Sequence, residues 1–471
     1  MGIRSTLILA CLLASFPAGC RRSPAPADSR AAGVDAQVRT RWGKLLADLP
    51  VRKLIAISAN NENIQNEFAW AFSLDHALAY GQRVDLEWRN VGGGGGQIGR
   101  NIENQYKRHD SAGIDVLWGG GDQIFRQLAK AGLLEPLDLP DDLLNDNVIP
   151  ARFGGVELVD AKKLWAGSAV SGFGFLYNAQ LLERFHIAPP EHWADLADPR
   201  FADLLVLTDP TQSGSAASAY RMIAQTGSTW PDGWGRLLRI LANAKRFTNN
   251  AGSAANAPLV GESLAAACID FYGLLRVAES GGQLVYVSPP GETVFTPDPI
   301  AILKNPPDGE LARRFVAFVL SRRGQALLAL GVGAPDGPVH SPLARLPIRN
   351  DVYSHYAPDL LPGLVNPYLA GQAMTLTPDK NDINNNVLRL LVRTAAVDNL
   401  PGLRAARDRL IATPHDAARL ADFLALPPEA DTLDAMTAAA NKLSDAKFAD
   451  DLATRWQAFF AQKYRRVARA N

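Results

Sequence analysis

The sequence predicts an α/β fold in two lobes that is followed by a helical extension, and three patterns support this. From Leu54 onward, short β-branched runs alternate with amphipathic helical stretches, which is typical of βα units with a mainly parallel sheet. The same alternation starts again after about Glu183. Beyond about Tyr353 the chain is rich in Ala, Leu and Asp and predicts helices. A chain of 471 residues is long enough for two large α/β units and a further segment.

Four strands are predicted to open the folded region, over residues 54–57, 83–91, 114–118 and 172–177. The second lobe is predicted from strands at 204–208, 245–248 and 264–270, with helices from 215, over 234–244 and over 255–262. Residues 293–302 and 308–330 predict a strand and helices that return to the first lobe. The expected division is therefore 38–170 plus 297–352 for lobe one, 171–296 for lobe two and 353–471 for the helical extension.

Charge and motif content exclude several classes of function. The 48 basic and 48 acidic side chains give a formal net charge of zero, which disfavours nucleic-acid binding. The sequence has no GxSxG, HExxH or CxxC motif, and its seven histidines lack ligand spacing, so no enzyme, metal or cofactor is expected. Gly94, Gly96 and Gly99 have GxGxxG spacing, but a complete βα unit precedes them, which disfavours a dinucleotide site.

The N-terminus predicts export. Arg4 precedes an apolar run of about ten residues, which is too short to span a membrane and suits a signal peptide over residues 1–20. Ala18, Gly19 and Cys20 resemble a bacterial lipoprotein box, in which Cys20 would carry lipid. Pro17 stands where that box usually has Leu, so cleavage without lipidation is the alternative. Residues 21–37 are expected to form a flexible tether, and one cysteine beyond it, Cys268, makes an intrachain disulfide unexpected.

Candidate binding groups lie where predicted strands end, because ligands of parallel sheets bind beyond the carboxyl ends of strands. The sharpest candidate is the stretch Thr208–Ala216, in which Ser213, Gly214 and Ser215 begin a helix directly after a buried strand. The free amides and dipole of such a start stabilise an anion by about 0.3–2 kcal/mol. The alternative is an ordinary helix cap, for which Ser is among the commonest residues.

With these residues, the chain resembles the bacterial periplasmic solute-binding proteins of ABC importers, in the extracellular solute-binding family 1 that includes ferric-iron, phosphonate and sugar-phosphate receptors. The resemblance runs from about Leu54 to Tyr353 and rests on five segments: IDVLWGGGDQIFRQLAKAGLLEPL from Ile114, SGFGFLYNAQLLERF from Ser171, HWADLADPRFADLLVLTDPTQSGSA from His192, CIDFYG from Cys268 and PDPIAILKNPPDGELARRFVAFVLSRRGQALL from Pro297. It implies a two-lobed type II periplasmic-binding-protein fold, with solute bound between hinged lobes and a membrane permease as partner. The residues expected to bind solute are Ser58, Asn61, Glu62, Gly94 and Gly120 on one wall and Ser171, Ser213, Gly214, Ser215 and Tyr272 on the other.

The preferred solute is a small anion, with a phosphorylated or phosphonate compound ahead of a plain carboxylate. Ferric-iron members of the family carry tandem tyrosines where this chain has Phe271 and Tyr272, so iron binding is kept as an alternative. Arg246 either balances the charge of the anion or is a surface residue. An exported α/β enzyme and a lipid-anchored scaffold remain as functions of other classes, because fold alone does not separate them.

Overall fold

The structure is a computed structural model that describes residues 26–91, 95–374 and 383–469. Its strands, in chain order, are Val51–Ser58 (β1), Arg83–Arg89 (β2), Val116–Trp118 (β3), Leu134–Glu135 (β4), Arg152–Phe153 (β5), Val156–Glu157 (β6), Ala166–Ser171 (β7), Phe173–Asn178 (β8), Leu205–Thr208 (β9), Ala244–Thr248 (β10), Ala265–Ile269 (β11), Leu284–Val287 (β12), Thr296–Leu303 (β13) and Leu346–Pro347 (β14).

The helices, again in chain order, are Pro26–Trp42 (α1), Glu62–Tyr80 (α2), Gly95–Tyr106 (α3), Asp122–Lys130 (α4), Ala179–Arg184 (α5), Gly214–Gln225 (α6), Trp230–Ala242 (α7), Ala251–Asn256 (α8), Asp270–Glu279 (α9), Gly309–Leu320 (α10), Arg322–Ala329 (α11), Asn350–His355 (α12), Asn385–Val392 (α13), Leu400–Ala412 (α14), Ala417–Leu424 (α15), Leu433–Ala440 (α16) and Ala446–Ala468 (α17). Among the helices that the structure describes, none has both the length and the apolar composition needed to span a bilayer.

Two mixed sheets form the body of the protein. Sheet one has the strand order β14-β7-β13-β3-β1-β2, with β4 also paired to β13, and sheet two has the order β10-β9-β11-β8-β12. Strands β1, β2 and β3 are parallel, but β13 runs antiparallel to β3 and β7. In sheet two, β9 is parallel to β10 and β11, whereas β8 is antiparallel to β11 and β12. The prediction of mainly parallel sheets is therefore wrong, because β8 and β13 enter their sheets from the other lobe and run against their neighbours.

The chain passes between the sheets at two places. Strand β7 ends at Ser171 and β8 begins at Phe173, so Gly172 alone separates the sheets there. Gly172 N–H donates to Asp270 Oδ2 at 2.7 Å, and its carbonyl accepts from the Asp270 N–H at 3.0 Å. A Cβ atom at this position would lie 2.6 Å from the Phe295 ring, which requires glycine. The chain returns between β12 and β13, through residues 288–295.

Helix α1 corrects the expectation of a flexible tether over residues 21–37, which is wrong from Pro26 onward. Val34 and Val38, one helical turn apart, are buried against Leu74 and Ala77 of α2. Arg30 donates from its two terminal nitrogens to the Gly337 and Ala334 carbonyls at 2.7 and 2.6 Å. The predicted signal peptide, Cys20 and residues 21–25 lie outside the described residues.

Local capping residues set two helix bounds that differ from expectation. The helix predicted over 255–262 is α8, which begins earlier because Asn250 accepts from the Ser253 N–H at 2.8 Å. It ends before Pro258, which has no N–H to continue a helix. The helix predicted from Trp234 begins at Trp230, because Thr229 caps it and Pro231 occupies its first turn.

The helical extension shares one hydrophobic core with the helices of sheet two. Trp234 of α7 and Phe460 of α17 have ring centroids 6.1 Å apart, and Trp230 Nε1 donates to the Ala430 carbonyl at 2.7 Å. Arg404 of α14 donates from Nε to the Ala244 carbonyl of β10 at 3.0 Å. The helices of the extension from α13 onward are thus packed on lobe two, whereas its first part bonds to lobe one, through the Leu361 N–H to the Ala329 carbonyl and the Tyr368 hydroxyl to the Ile348 carbonyl.

Candidate functional site

A cleft of about 340 Å³ lies where the two sheets meet. Its walls come from the loops after β1 and β3, the start of α9, the crossing strands β7 and β13, and the segment before β14. The residues that line it are Ala59, Asn60, Asn61, Ile64, Gly120, Gly121, Ser171, Ile269, Phe271, Tyr272, Thr296, Pro297, Asp298 and Arg345. Side chains from both lobes therefore face one cavity.

Four of the predicted binding residues line this cleft. Asn61 caps α2 by accepting from the Ile64 N–H at 3.0 Å, and Gly120 lies in the neighbouring loop before α4. Ser171 ends β7, and Tyr272 lies in the first turn of α9 with its ring centroid 4.2 Å from that of Phe271. The rule that binding groups follow strand ends found these positions in both lobes.

Other predicted residues do not line the cleft. Ser58 donates from Oγ to the Trp118 carbonyl at 2.8 Å and accepts from the Asn60 N–H at 3.0 Å, so its hydroxyl stabilises the β1–β3 edge. Glu62 is exposed in the first turn of α2. Gly94 lies outside the described residues. Whether any of these positions contacts a solute stays a prediction.

The segment Ser213–Ser215 forms the start of α6, as predicted, but it does not line the cavity defined above. Ser213 Oγ accepts from the Ala216 N–H at 3.3 Å and lies 3.1 Å from Ser215 Oγ. Gly214 is exposed, and a Cβ atom placed on it would lie 3.7 Å from Arg389 Nη2 of the extension. Its backbone is therefore open to close approach.

Arg345 is the cleft residue that the sequence analysis missed. It is only 5% exposed, and its Nη2 donates to Asp298 Oδ2 at 2.9 Å and to Ser171 Oγ at 3.4 Å. Its guanidinium carbon lies 4.9 Å from the centre of the Phe271 ring, which belongs to lobe two. Its Nε is buried without an acceptor, as is Nδ2 of Asn60 in the loop after β1. The sequence signal is an arginine inside the otherwise apolar run 342–348.

Asp298 accepts hydrogen bonds from backbone amides in a loop that was predicted to bind solute. Its Oδ1 accepts from the N–H groups of Gly120 and Gly121 at 2.9 and 3.2 Å. These glycines have φ values of 102° and 79°, a conformation that turns their amides toward β13 and favours glycine. One carboxylate thus joins the loop before α4 to Arg345, and the cleft floor has nearly balanced charge.

Asp270 lies behind the cleft floor and is 1% exposed. Burial raises the pKa of its carboxyl to about 7, although the Gly172 N–H and Arg345 act in the opposite direction. Its Oδ1 also accepts from the Phe271 N–H at 2.7 Å. The carboxyl therefore fixes the crossing at Gly172 and the start of α9 together.

Two further expectations concern charge and metal. Arg246 donates from Nη2 to Glu262 Oε2 at 2.7 Å on the surface of lobe two. It is therefore a surface residue whose charge is paired with Glu262. Within residues 26–91, 95–374 and 383–469, no group of three or more His, Cys, Asp or Glu side chains is placed to hold a metal ion. Cys268 is a buried free thiol.

A family model described as "Bacterial extracellular solute-binding protein" matches residues 113–350, a range that includes Tyr272, Asp298 and Arg345. The chain belongs to this family of solute-binding proteins. The family is made of exported proteins that bind solutes and are not enzymes.

Individual relatives agree with the family assignment. The chain is 31% identical over 161 residues to the phosphoglycerate transport regulatory protein PgtC of Salmonella typhimurium, a match that spans 34% of this chain and 40% of that protein. Iron-bound HitA from Pseudomonas aeruginosa has 22% identity and a TM-score of 0.50, covering 70% of this chain and 95% of that one. Apo ferric ion-binding protein A from Pasteurella haemolytica has 14% identity and a TM-score of 0.51, covering 72% and 96%. The likeness in structure shows a two-lobed type II periplasmic-binding-protein fold, as predicted.

Proposed function

We propose that this solute-binding protein is the substrate-binding component of an ABC importer, which captures a small anionic solute between its lobes and delivers it to a permease in the inner membrane. The observation that carries the proposal is the buried Arg345 at the cleft floor, whose Nε lacks an acceptor. A buried donor without a partner costs about 1–3 kcal/mol. A solute oxygen that accepts from Arg345 and from Asn60 Nδ2 would recover that free energy.

A phosphorylated or phosphonate solute is favoured over a plain carboxylate. Asp298 already neutralises one side of Arg345, so a doubly charged group needs further stabilisation from elsewhere. The start of α6, which lies outside the cavity lining but in the same lobe as Tyr272, offers the backbone amides of Gly214 and Ser215 for this. The relative PgtC is named for phosphoglycerate transport, which supports the same class of solute.

Solute would act by stabilising the closed arrangement of the lobes. Asn61 and Gly120 belong to lobe one, whereas Phe271 and Tyr272 belong to lobe two. A ligand that contacts both sets has a higher affinity for the closed state, and it shifts the equilibrium by that difference in affinity. The permease would then recognise the closed form.

Ligand-dependent melting tests the proposal. The probes are 3-phosphoglycerate, glycerol 3-phosphate, 2-aminoethylphosphonate, glycerate and ferric citrate, and we expect the melting temperature to rise with the phosphorylated or phosphonate probes. Arg345→Gln should weaken binding of the active probe about tenfold or more, since hydrogen bonds to charged groups contribute about 1.5–3 kcal/mol. Arg345→Lys, which retains the charge beside Asp298, controls for loss of folding.

Arg322→Gln is the matched control, because Arg322 is exposed and pairs with Asp351 away from the cleft. A protein that responds to ferric citrate alone would contradict the anion proposal and favour an iron receptor. A protein that responds to none of the five probes would remove support for both.

We also propose that Cys20 carries lipid and holds the protein at the membrane beside its permease. The residues Ala18, Gly19 and Cys20 motivate this, and a short apolar run precedes them. Fatty-acid labelling of the wild-type protein that disappears in Cys20→Ala would support lipidation. Equal labelling of both proteins would contradict it.

A further inference from the structure

The helical extension reaches the predicted anion site at the start of α6. Helix α13 of the extension packs against α6 of lobe two. At the point nearest the start of α6, Arg389 Nη2 lies 3.7 Å from the position of a Cβ atom on Gly214. The family model ends at residue 350, so Arg389 lies in the part of the chain beyond that match.

Arg389 forms no ion pair within the described residues. Its Nε is buried without a hydrogen-bond partner, and within the described residues its guanidinium has no carboxylate within ion-pair distance. Six other arginines of the extension pair with carboxylates: Arg393 with Asp398, Arg404 and Arg407 with Asp203, Arg419 with Asp416, Arg455 with Glu429 and Arg466 with Asp422. Arg409 resembles Arg389 in having a buried Nε without a partner. Arg389 thus leaves a positive charge beside the open backbone of Gly214.

A second cation lies on the same face of α6. Gly214 and Arg221 are seven residues apart, which places them on one side of a helix, and arginine side chains in helices point back toward the N-terminus. Burial lowers the pKa of Arg221, and the acidic group that opposes this is Asp122 of α4 in lobe one. Arg221 likewise has no ion pair to a described residue. Arg221 and Gly214 therefore share one face of α6, and Asp122 of lobe one lies within electrostatic range of Arg221.

We propose that Arg389 is a solute-binding residue that the helical extension supplies to lobe two, where its guanidinium and the amides of Gly214 and Ser215 bind one oxyanion group of the solute. The inference rests on the proposed function and deepens it, because it names the class of that group. Two cations and a helix start match a dianionic phosphate monoester or phosphonate better than a singly charged carboxylate. The extension is then part of the binding site.

Isothermal titration of the full chain with 3-phosphoglycerate, glycerol 3-phosphate and glycerate tests this assignment. We expect Arg389→Gln to weaken binding of both phosphorylated probes about tenfold or more, and Arg389→Lys to restore part of the affinity. Gly214→Ala should fold normally, since its added methyl group meets Arg389 Nη2 at an ordinary contact distance of 3.7 Å, but it should weaken phosphate binding by blocking close approach. Arg393→Gln, one turn along the chain and paired with Asp398, should bind within about twofold of the wild type.

The outcomes separate this inference from the function on which it rests. If the wild-type protein binds the phosphorylated probes and both Arg389→Gln and Gly214→Ala bind them equally well, the role of Arg389 is wrong and the proposed function stands. If the wild-type protein binds neither phosphorylated probe, the phosphate class fails and the inference fails with it. If Arg389→Gln does not fold, the affinities of Arg389→Lys and Gly214→Ala decide.

Discussion

The base of the cleft and the core of the helical extension both bury charged side chains, but Arg345 in the first lacks a hydrogen-bond partner on one nitrogen, whereas Lys463 in the second is fully packed. In the cleft, Arg345 and Asp298 line open volume, and Arg345 Nε has no acceptor. In the extension, Lys463 of α17 has no exposed surface, and its Nζ donates to the carbonyls of Phe423 and Ala425 at 2.8 Å each.

The difference shows how to distinguish a binding charge from a structural one. The carbonyls that Lys463 contacts lie at the C-terminal end of α15, where a helix leaves acceptors unpaired. The lysine satisfies them and fixes where α17 docks. Arg345 lines the cleft, and its Nε has no acceptor. Burial of charge alone therefore does not indicate function, and a buried charge that lines the cavity between the lobes is the better candidate.

The largest expected effect is the loss of the extension core on Phe460→Ala. Phe460 is fully buried and contacts the rings of Trp234 and Tyr464, so truncation leaves a cavity and should lower the free energy of unfolding by about 3–5 kcal/mol. Urea unfolding followed by circular dichroism measures this loss. Phe459→Ala, at the half-buried neighbouring position, is the control and should cost clearly less. Equal losses would mean that the extension is not held through Trp234.

The next effect concerns the pH dependence that Asp270 contributes. Its folded-state pKa is about 7, against an ordinary value of 3.8, so between these pH values the folded protein keeps a proton that the unfolded chain releases. Its contribution therefore lowers the free energy of unfolding by about 1.4 kcal/mol per pH unit as the pH rises through that range. The free energy of unfolding, measured by urea unfolding at several pH values in this range, should depend less on pH in Asp270→Asn than in the wild type. This comparison of slopes holds whatever the absolute stability of the variant. An unchanged slope of unfolding free energy against pH would mean that a group other than Asp270 titrates in this range.

For Lys463 we expect a pH dependence of the unfolding free energy with the opposite sign and a smaller measurable change. Burial lowers its pKa from 10.5 to about 7, so above pH 7 the unfolded chain binds a proton that the folded protein lacks. Its contribution raises the free energy of unfolding with pH, at about 1.4 kcal/mol per pH unit, and only part of the range is accessible before alkaline denaturation. Lys463→Met should remove this rise in urea titrations above pH 7. If Lys463→Met and the wild type keep parallel profiles, the lysine is charged in the folded protein.

The alternation of strands and helices was predictable because it depends on local periodicity. Strand direction was not, because the pairing of β13 with β7 joins residues more than a hundred positions apart. Helix α1 was not predicted because its sequence is mostly polar. Its two valines can be recognised as core residues only from their packing on α2. Cleft residues at strand ends, such as Asn61 and Tyr272, followed from a topological rule.

Arg345 and Arg389 did not follow from such a rule. Arg345 lies in an irregular segment, and its burial depends on Asp298, which is 47 positions earlier in the chain. Arg389 is far in sequence from Gly214, and only the packing of α13 on α6 brings them together. Both are long-range contacts between segments that carry no recognisable motif. Sequence patterns thus located the backbone of the site better than its charges.

The single residue between β7 and β8 limits how the lobes can move. Gly172 is held on both its N–H and its carbonyl by Asp270, while the second passage has eight residues, 288–295. With one connection this short, neither sheet can slide along the other, and the remaining freedom is rotation about an axis through Gly172. The helices of the extension from α13 onward, packed on lobe two, turn with it, so the distance between Arg389 and Gly214 is kept while both approach or leave lobe one.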